Sequence, residues 1–370
     1  MPSSQPKKLI LVIGATGAQG LQVIDALLAP SEGGTPSPYA VRAFTRNPQS
    51  RRAVELASKG VQVVKDADRY RSGSHDDLAS VAAALRGVYG AWVNTDGFTV
   101  GEAKETWEGI RIFELAKQAG IRHYIWSNLD YISKLTNYDQ RYRCEHYDGK
   151  GRVADFMQTQ PSIVNDTDMS WTVVTSGPYM EMLYNFMFGP YKKRQDGTVV
   201  FVTSVGKGHV QMIALEDLGF FARYAFDNRE LTSGQDLKIA SDRVDWEYLK
   251  ATFETVTGQR AEVVYQTYDD WCKNLRNVDK PIANERAHDD GSTTWRENFR
   301  GFWSMWRDDK IERDYEWLRR VNPNGYTLES WMRGKRYGDH QLWSGINLLK
   351  NTEDGGMGTM PDLEYIEKNL

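Results

Sequence analysis

Three glycines, Gly14, Gly17 and Gly20, punctuate the stretch LILVIGATGAQG at a spacing that can cradle a phosphate. An apolar run from Leu9 to Ile13 leads into them, and the amphipathic run LQVIDALL follows. That order reads as strand, tight turn and helix. The turn brings bare backbone close to a nucleotide pyrophosphate, and the N–H groups at the helix start face its negative charge. Side chains at the glycine positions would block the approach. The spacing is G-x-x-G-x-x-G rather than the usual G-x-G-x-x-G, so an ordinary βα turn is the competing reading.

A second group of residues bears on which nucleotide would bind. Tyr39–Thr45 alternates like a strand, and Arg46-Asn47-Pro48 follows it. Dinucleotide folds that prefer NAD carry an acid at this strand end to hold the ribose 2′-hydroxyl. No acid stands between Tyr39 and Arg52, whereas Arg42, Arg46, Arg51 and Arg52 all do. A guanidinium here pairs with the 2′-phosphate of NADP in the two-pronged way arginine suits. Arg46 is the expected partner, with Arg51 or Arg52 in support. A merely solvated basic face fits less well, because cations are disfavoured at a helix start.

The elements that must position these groups alternate along the chain. Gln49–Lys59 reads as a helix, Val61–Lys65 as a strand, and Asp66–Ser72 as a charged loop where an adenine ring would be contacted. Ser74 can cap a helix over Asp76–Arg86. Val88–Asn94 and Ile121–Trp126 read as strands around a helix over Glu102–Ala119 that Gly120 ends. This predicts an α/β fold, a Rossmann-type doubly wound parallel sheet, with ligands beyond the carboxyl ends of its strands. Thr95-Asp96 and Ser127-Asn128 fall just past two such ends.

Ser170–Thr175 reads as a further strand, and Gly177-Pro178-Tyr179 turns the chain away from it. The Met- and aromatic-rich run Met180–Tyr191 suits core packing and an apolar ligand equally. Val199–Ser204, Val210–Ala214 and Leu237–Ala240 look like short strands, and Asp245–Thr257 a helix. Seven of the chain's 12 tryptophans lie between Trp271 and Trp343. Their helical spacing around Phe302, Trp303 and Trp306 favours a packed core over ligand contact. The expected division is 1–176 for the nucleotide-binding domain, to which some later strands return. A smaller α+β subdomain over the cleft takes 177–350, and an extended tail 351–370.

Composition narrows the partners. The 370 residues carry a net charge of −4, which gives no general attraction to nucleic acid. Cys144 and Cys272 show no metal-ligand spacing and make no disulfide framework. No signal-peptide pattern or membrane-length apolar run is present, so the expected setting is the cytosol.

Several stretches together resemble the NmrA-like family, atypical members of the short-chain dehydrogenase/reductase superfamily. They are VIGATGAQG, TRNP, GVYGAWVNT, HYIWSNLDYISKLT, HYDGKGRVADF, GPYMEML and RRVNPNGYTLESW, which span most of Lys8–Trp331. The resemblance implies a Rossmann domain binding NADP(H). It puts Gly14, Thr16, Gly17, Ala18, Gln19 and Gly20 around the pyrophosphate and Arg46 on the 2′-phosphate. Thr95 and Asp96 fall beside the cofactor, Lys150 at the nicotinamide ribose, and Pro178 and Tyr179 at the nicotinamide end. The family holds both working reductases and NADP(H)-sensing regulators.

The superfamily's usual proton donor is a tyrosine four residues before its lysine, whose pKa the lysine lowers. No lysine here has a tyrosine at that offset; His146 precedes Lys150 and Asp130 precedes Lys134. Substitute donors are Asp130, Tyr131, His146, Tyr179 or Lys150 itself, with Ser127 a further candidate catalytic residue. A lone histidine at a helix start is more often structural. The leading expectation is an NADP(H)-dependent oxidoreductase acting on a bulky apolar or heteroaromatic metabolite. The alternatives are a sensor without turnover, with a protein partner, and a cofactor-dependent, redox-neutral isomerase. The expected partners are a small-molecule substrate and either a protein partner or a second copy of the chain, with no nucleic acid and no membrane.

Overall fold

A computed structural model describes residues 6–65, 78–287, 290–339 and 358–370, with 342, 344, 348 and 353. The expected Asp66–Ser72 loop and the Ser74 cap lie outside the described residues. The chain divides into two compact units. The first comprises Met1–Leu129, Gly149–Thr175 and Leu218–Lys238, and the second Asp130–Asp148, Ser176–Asp217 and Ile239–Leu370. The division is thus interleaved, where the sequence suggests a boundary near residue 176 with some later strands returning to the first domain.

The first unit is built on a seven-stranded sheet. Its strands are β1 (Lys8–Ile13), β2 (Tyr39–Thr45), β3 (Gln62–Lys65), β4 (Gly90–Val93), β5 (His123–Asn128) and β6 (Ser170–Thr175), with Asp236–Lys238 at one edge. The order is β3-β2-β1-β4-β5-β6-edge, and every neighbouring pair is parallel. The order reverses at β1, which creates the crevice that dinucleotides occupy in such folds. Ile10 to Ile13 are wholly buried, as a central parallel strand covered on both faces requires.

Helices α1 (Ala18–Leu28), α2 (Arg51–Ser58), α3 (Leu78–Leu85), the short α4 (Gly97–Val100) and α5 (Glu102–Gln118) follow these strands. α1 buries Val23, Ile24 and Leu27. Ser50 starts α2 by accepting from the Ala53 amide. The close fit of α5 depends on Gly109, where a Cβ would come within 2.6 Å of Val153 and 2.9 Å of Trp126. Ser127 and Asn128 form the last residues of β5 rather than the loop beyond it. His123 opens that strand, fully buried, with Nε2 2.9 Å from Thr172 Oγ1 and its ring edge-on to Phe226.

The second unit is α+β. Short α6 (Ile132–Leu135) opens it, and α7 (Glu145–Gln158) and α8 (Leu215–Asp227) each begin among its residues and end among those of the first unit. Val199–Thr203 pairs in parallel with Ala261–Tyr265 and antiparallel with Pro190–Lys193. Val210–Met212 pairs antiparallel with Asp242–Val244.

The tryptophan-rich stretch is core. Trp271, Trp303, Trp306 and Trp331 are at most 1% exposed, and Trp271 and Trp303 lie 5.0 Å apart in an edge-on arrangement. Met180, Leu183, Met187, Phe188 and Tyr191 are buried as well. Packing therefore accounts for both aromatic stretches. The expectation of a loosely held tail fails for residues 358–370. Met360–Pro361 pairs with Leu275–Arg276, a helix spans Leu363–Asn369, and Arg194 donates to the Leu370 carbonyl. Its apolar content is low, but backbone pairing and an Asp362 cap hold it. No helix among the described residues is long and apolar enough to cross a membrane.

Candidate cofactor site

The glycine turn is built so that backbone replaces side chain. Gly14 has φ +78°, and a Cβ there would lie 2.7 Å from the Asn94 carbonyl oxygen. The Gly17 amide donates to Gly14 O at 3.0 Å. A Cβ on Gly20 would fall 2.2 Å from that same oxygen. Gly17 is the N-cap of α1 and no side chain caps the helix. A helix start of this kind, at the carboxyl end of the strand where the sheet order reverses, fits a pyrophosphate.

The arginines divide by role. Arg42 donates to Gln62 and to the Ala84 and Arg86 carbonyls, so it ties β2 to the end of α3. Arg52 is buried and donates to the Thr16 carbonyl at 3.0 Å, bracing the glycine turn from behind. Arg51 is exposed and pairs with Glu55 one turn along α2. Arg46 stands exposed just past the end of β2.

Lys150 lies over the other half of the sheet. Its ammonium is 3.1 Å from Asn94 Oδ1, 3.0 Å from the Thr95 carbonyl and 3.3 Å from Thr95 Oγ1. Glu105 Oε1 is 3.1 Å away, and the Trp126 ring centroid 5.3 Å. Thr95 Oγ1 donates to the same Glu105 oxygen at 2.7 Å. The Lys150 side chain is 10% exposed and that of Glu105 fully buried. Three ammonium protons thus face four acceptors, an arrangement that fixes the group in place. Asp96 accepts from Thr99 Oγ1 at the start of α4, which makes it a local brace. Gln19 and Ser127 meet directly, the serine hydroxyl donating to Gln19 Oε1 at 2.6 Å. The first unit therefore assembles Gly14, Gly17, Gly20, Gln19, Thr95, Ser127 and Lys150 at one edge of the sheet.

The remaining candidates belong to the second unit. Asp130 is buried and both its oxygens accept from Arg313, at 3.1 and 2.7 Å. Arg313 also donates to the Ser176 and Ile239 carbonyls. Burial works against the Arg313 charge, but Asp130 more than offsets it and the pKa is raised. A carboxylate so gripped is an acceptor, which speaks against Asp130 as proton donor. His146 sits 3.3 Å from Cys144 Sγ, contacts Asn298 and packs against Phe299 and Phe302. That is a structural setting, as a histidine at a helix start suggests. Tyr179 is half-buried, its backbone pinned where Met180 donates to Ile213 O and Ile213 to Pro178 O.

Sequence reasoning missed Glu105 and Asn94. No local signal marks them: only in the fold do Gly97 and Gly149 face Glu105, where a Cβ would come within 2.3 and 3.0 Å of its Oε2. Among the described residues no group of three His, Cys, Asp or Glu is placed to hold a metal.

A parallel sheet of this order, a glycine turn at its reversal and a lysine fixed past β4 define a Rossmann-type nucleotide-binding protein. The chain belongs to the NmrA-like family, whose model matches residues 6–294. It is 27% identical over 273 residues to an NmrA-like family domain-containing oxidoreductase, malD, of Malbranchea aurantiaca, covering 70% of this chain and 75% of that protein. The solved structure of NmrA, a negative transcriptional regulator in complex with NADP, superposes with a TM-score of 0.66 at 18% identity, covering 89% of this chain and 95% of that one. The NADPH-dependent quinone oxidoreductase QOR2 of Escherichia coli, complexed with NADPH, gives 0.63 at 18% identity, covering 88% and 99%. At these identities the two structures establish the shared fold.

Proposed function

We propose that the chain is an NADP(H)-dependent oxidoreductase acting on a bulky apolar or heteroaromatic metabolite. The observation that carries this reading is the pairing of an unobstructed glycine turn with a fixed lysine past the end of β4. Names of relatives, an oxidoreductase and a quinone reductase, lean the same way. The aromatic stretches lend no weight to the substrate class, since they are core.

When bound, the cofactor would supply or accept a hydride. The backbone of Gly14–Gly20 and the start of α1 hold its pyrophosphate, and Arg46 at the exposed end of β2 meets the 2′-phosphate. Lys150, with its protons directed by Asn94, Thr95 and Glu105, orients the nicotinamide ribose.

The absence of a tyrosine four residues before Lys150, with Lys150 held by four acceptors, favours a second reading: a sensor that binds NADP(H) without consuming it. NmrA itself is described as a transcriptional regulator. The test is absorbance at 340 nm with quinones and extended aromatic carbonyl compounds, substrate being followed separately. Oxidoreductase activity predicts NADPH loss matching substrate loss one for one. NADPH binding without loss would mean a sensor, and substrate conversion without NADPH loss a redox-neutral isomerase.

A further inference from the structure

Glu105 is a buried carboxylate that the sequence motifs do not explain, and orienting Lys150 accounts for only one of its two oxygens. It is fully buried, one oxygen engages Lys150 and Thr95, and the other has no hydrogen-bond partner. Space for that second oxygen exists only because positions 97 and 149 are glycine. A buried ion pair is weak evidence for stability, since an apolar pair of like volume often does as well. The pairing therefore calls for a different explanation.

We propose that Glu105 keeps the site open to both redox forms of the nicotinamide cofactor, by cancelling the charge of Lys150. The proposal rests on the cofactor reading above. A dinucleotide crossing the sheet at β1 lays its adenosine half over β2, where Arg46 stands, and its nicotinamide half over β4 and β5. Lys150 is anchored just past β4 by Asn94 and Thr95. The oxidised nicotinamide ring carries a positive charge and the reduced ring none. A lone ammonium beside the ring would repel the oxidised form, whereas the Lys150–Glu105 pair is close to neutral. A neutral pair lets both forms bind with similar affinity, as exchange of one for the other after each turnover demands.

The test compares dissociation constants for NADP+ and NADPH in the wild type, Glu105→Gln and Lys150→Met, with circular dichroism to confirm folding. Glu105→Gln keeps the shape but leaves the ammonium uncompensated. It should raise the ratio Kd(NADP+)/Kd(NADPH) about tenfold, an effect expected of like charges within several ångströms in a partly buried site. Lys150→Met leaves the carboxylate alone and should move the ratio the opposite way. A merely structural role would weaken both nucleotides equally, and an unchanged ratio in the variants overturns the proposal. Should Glu105→Gln fail to fold, the direction of the Lys150→Met shift decides alone. A folded wild type that binds neither nucleotide would instead overturn the cofactor reading.

Discussion

Gly20→Ala is expected to abolish nucleotide binding and to destabilise the protein by about 1–3 kcal/mol, the usual range for forced overpacking. Two effects compete at this position. Alanine improves the helical propensity of α1 by roughly 1 kcal/mol over glycine. Against that, its Cβ would sit 2.2 Å from Gly14 O, 2.7 Å from Ala15 Cα and 2.8 Å from Ala15 C. All three are backbone atoms, so no side chain can swing aside and the turn must move. The clash wins, and the displaced turn no longer presents its amides to a pyrophosphate. Gly17→Ala is the comparison, because its nearest contact would be Gly14 O at 3.2 Å, a tight approach that a small shift relieves. Nucleotide titration and denaturant midpoints should rank the variants Gly20→Ala far below Gly17→Ala. Binding by Gly20→Ala at wild-type strength would show that the turn is not the binding element.

Acid should destabilise the protein through His123. Burial, with smaller contributions from Arg229 and Lys8, lowers its pKa to about 3. In the unfolded chain the ring titrates near 6.5, so the unfolded state takes up a proton that the folded state refuses. A depressed folded pKa means the stabilising contribution is full above about pH 6.5 and lost as pH falls from there towards 3. The slope is about 1.4 kcal/mol per pH unit. His123→Gln removes the titration while retaining a group able to bond Thr172. Between pH 7 and 5 the wild type should therefore lose roughly 2 kcal/mol more than the variant. Equal losses in urea denaturation would show that His123 is protonated in the folded protein.

The order of strands and helices was legible because each strand of the first unit is short, apolar and bounded by glycine or a polar loop. β2 and β6 fall at the bounds the sequence suggests, and the glycine turn was readable from its glycines together with the apolar strand before and the amphipathic helix after them. What escaped was long-range pairing. The chemistry of Asp130 is set by Arg313, 183 residues away, and no local pattern announces the pair. His146 is fixed by Asn298 at a similar remove. Four arginines near β2 looked alike in sequence, yet backbone carbonyls on α3 and in the glycine turn claim two of them. Glu105 reads locally as an ordinary acid in the first turn of a helix, and only the fold brings Gly97, Gly149 and Lys150 around it. The tail misled because its composition is polar, whereas strand pairing and a capped helix anchor its end.

The central claim is that a phosphorylated dinucleotide lies across the β1 turn with its extra phosphate on Arg46. Titrating the purified protein with NADPH and with NADH tests it most directly. The account predicts that NADPH binds at least about tenfold more tightly, a difference of roughly 1.4 kcal/mol from one charge-assisted arginine–phosphate contact. Tighter binding of NADH, or no binding of either nucleotide, would contradict it.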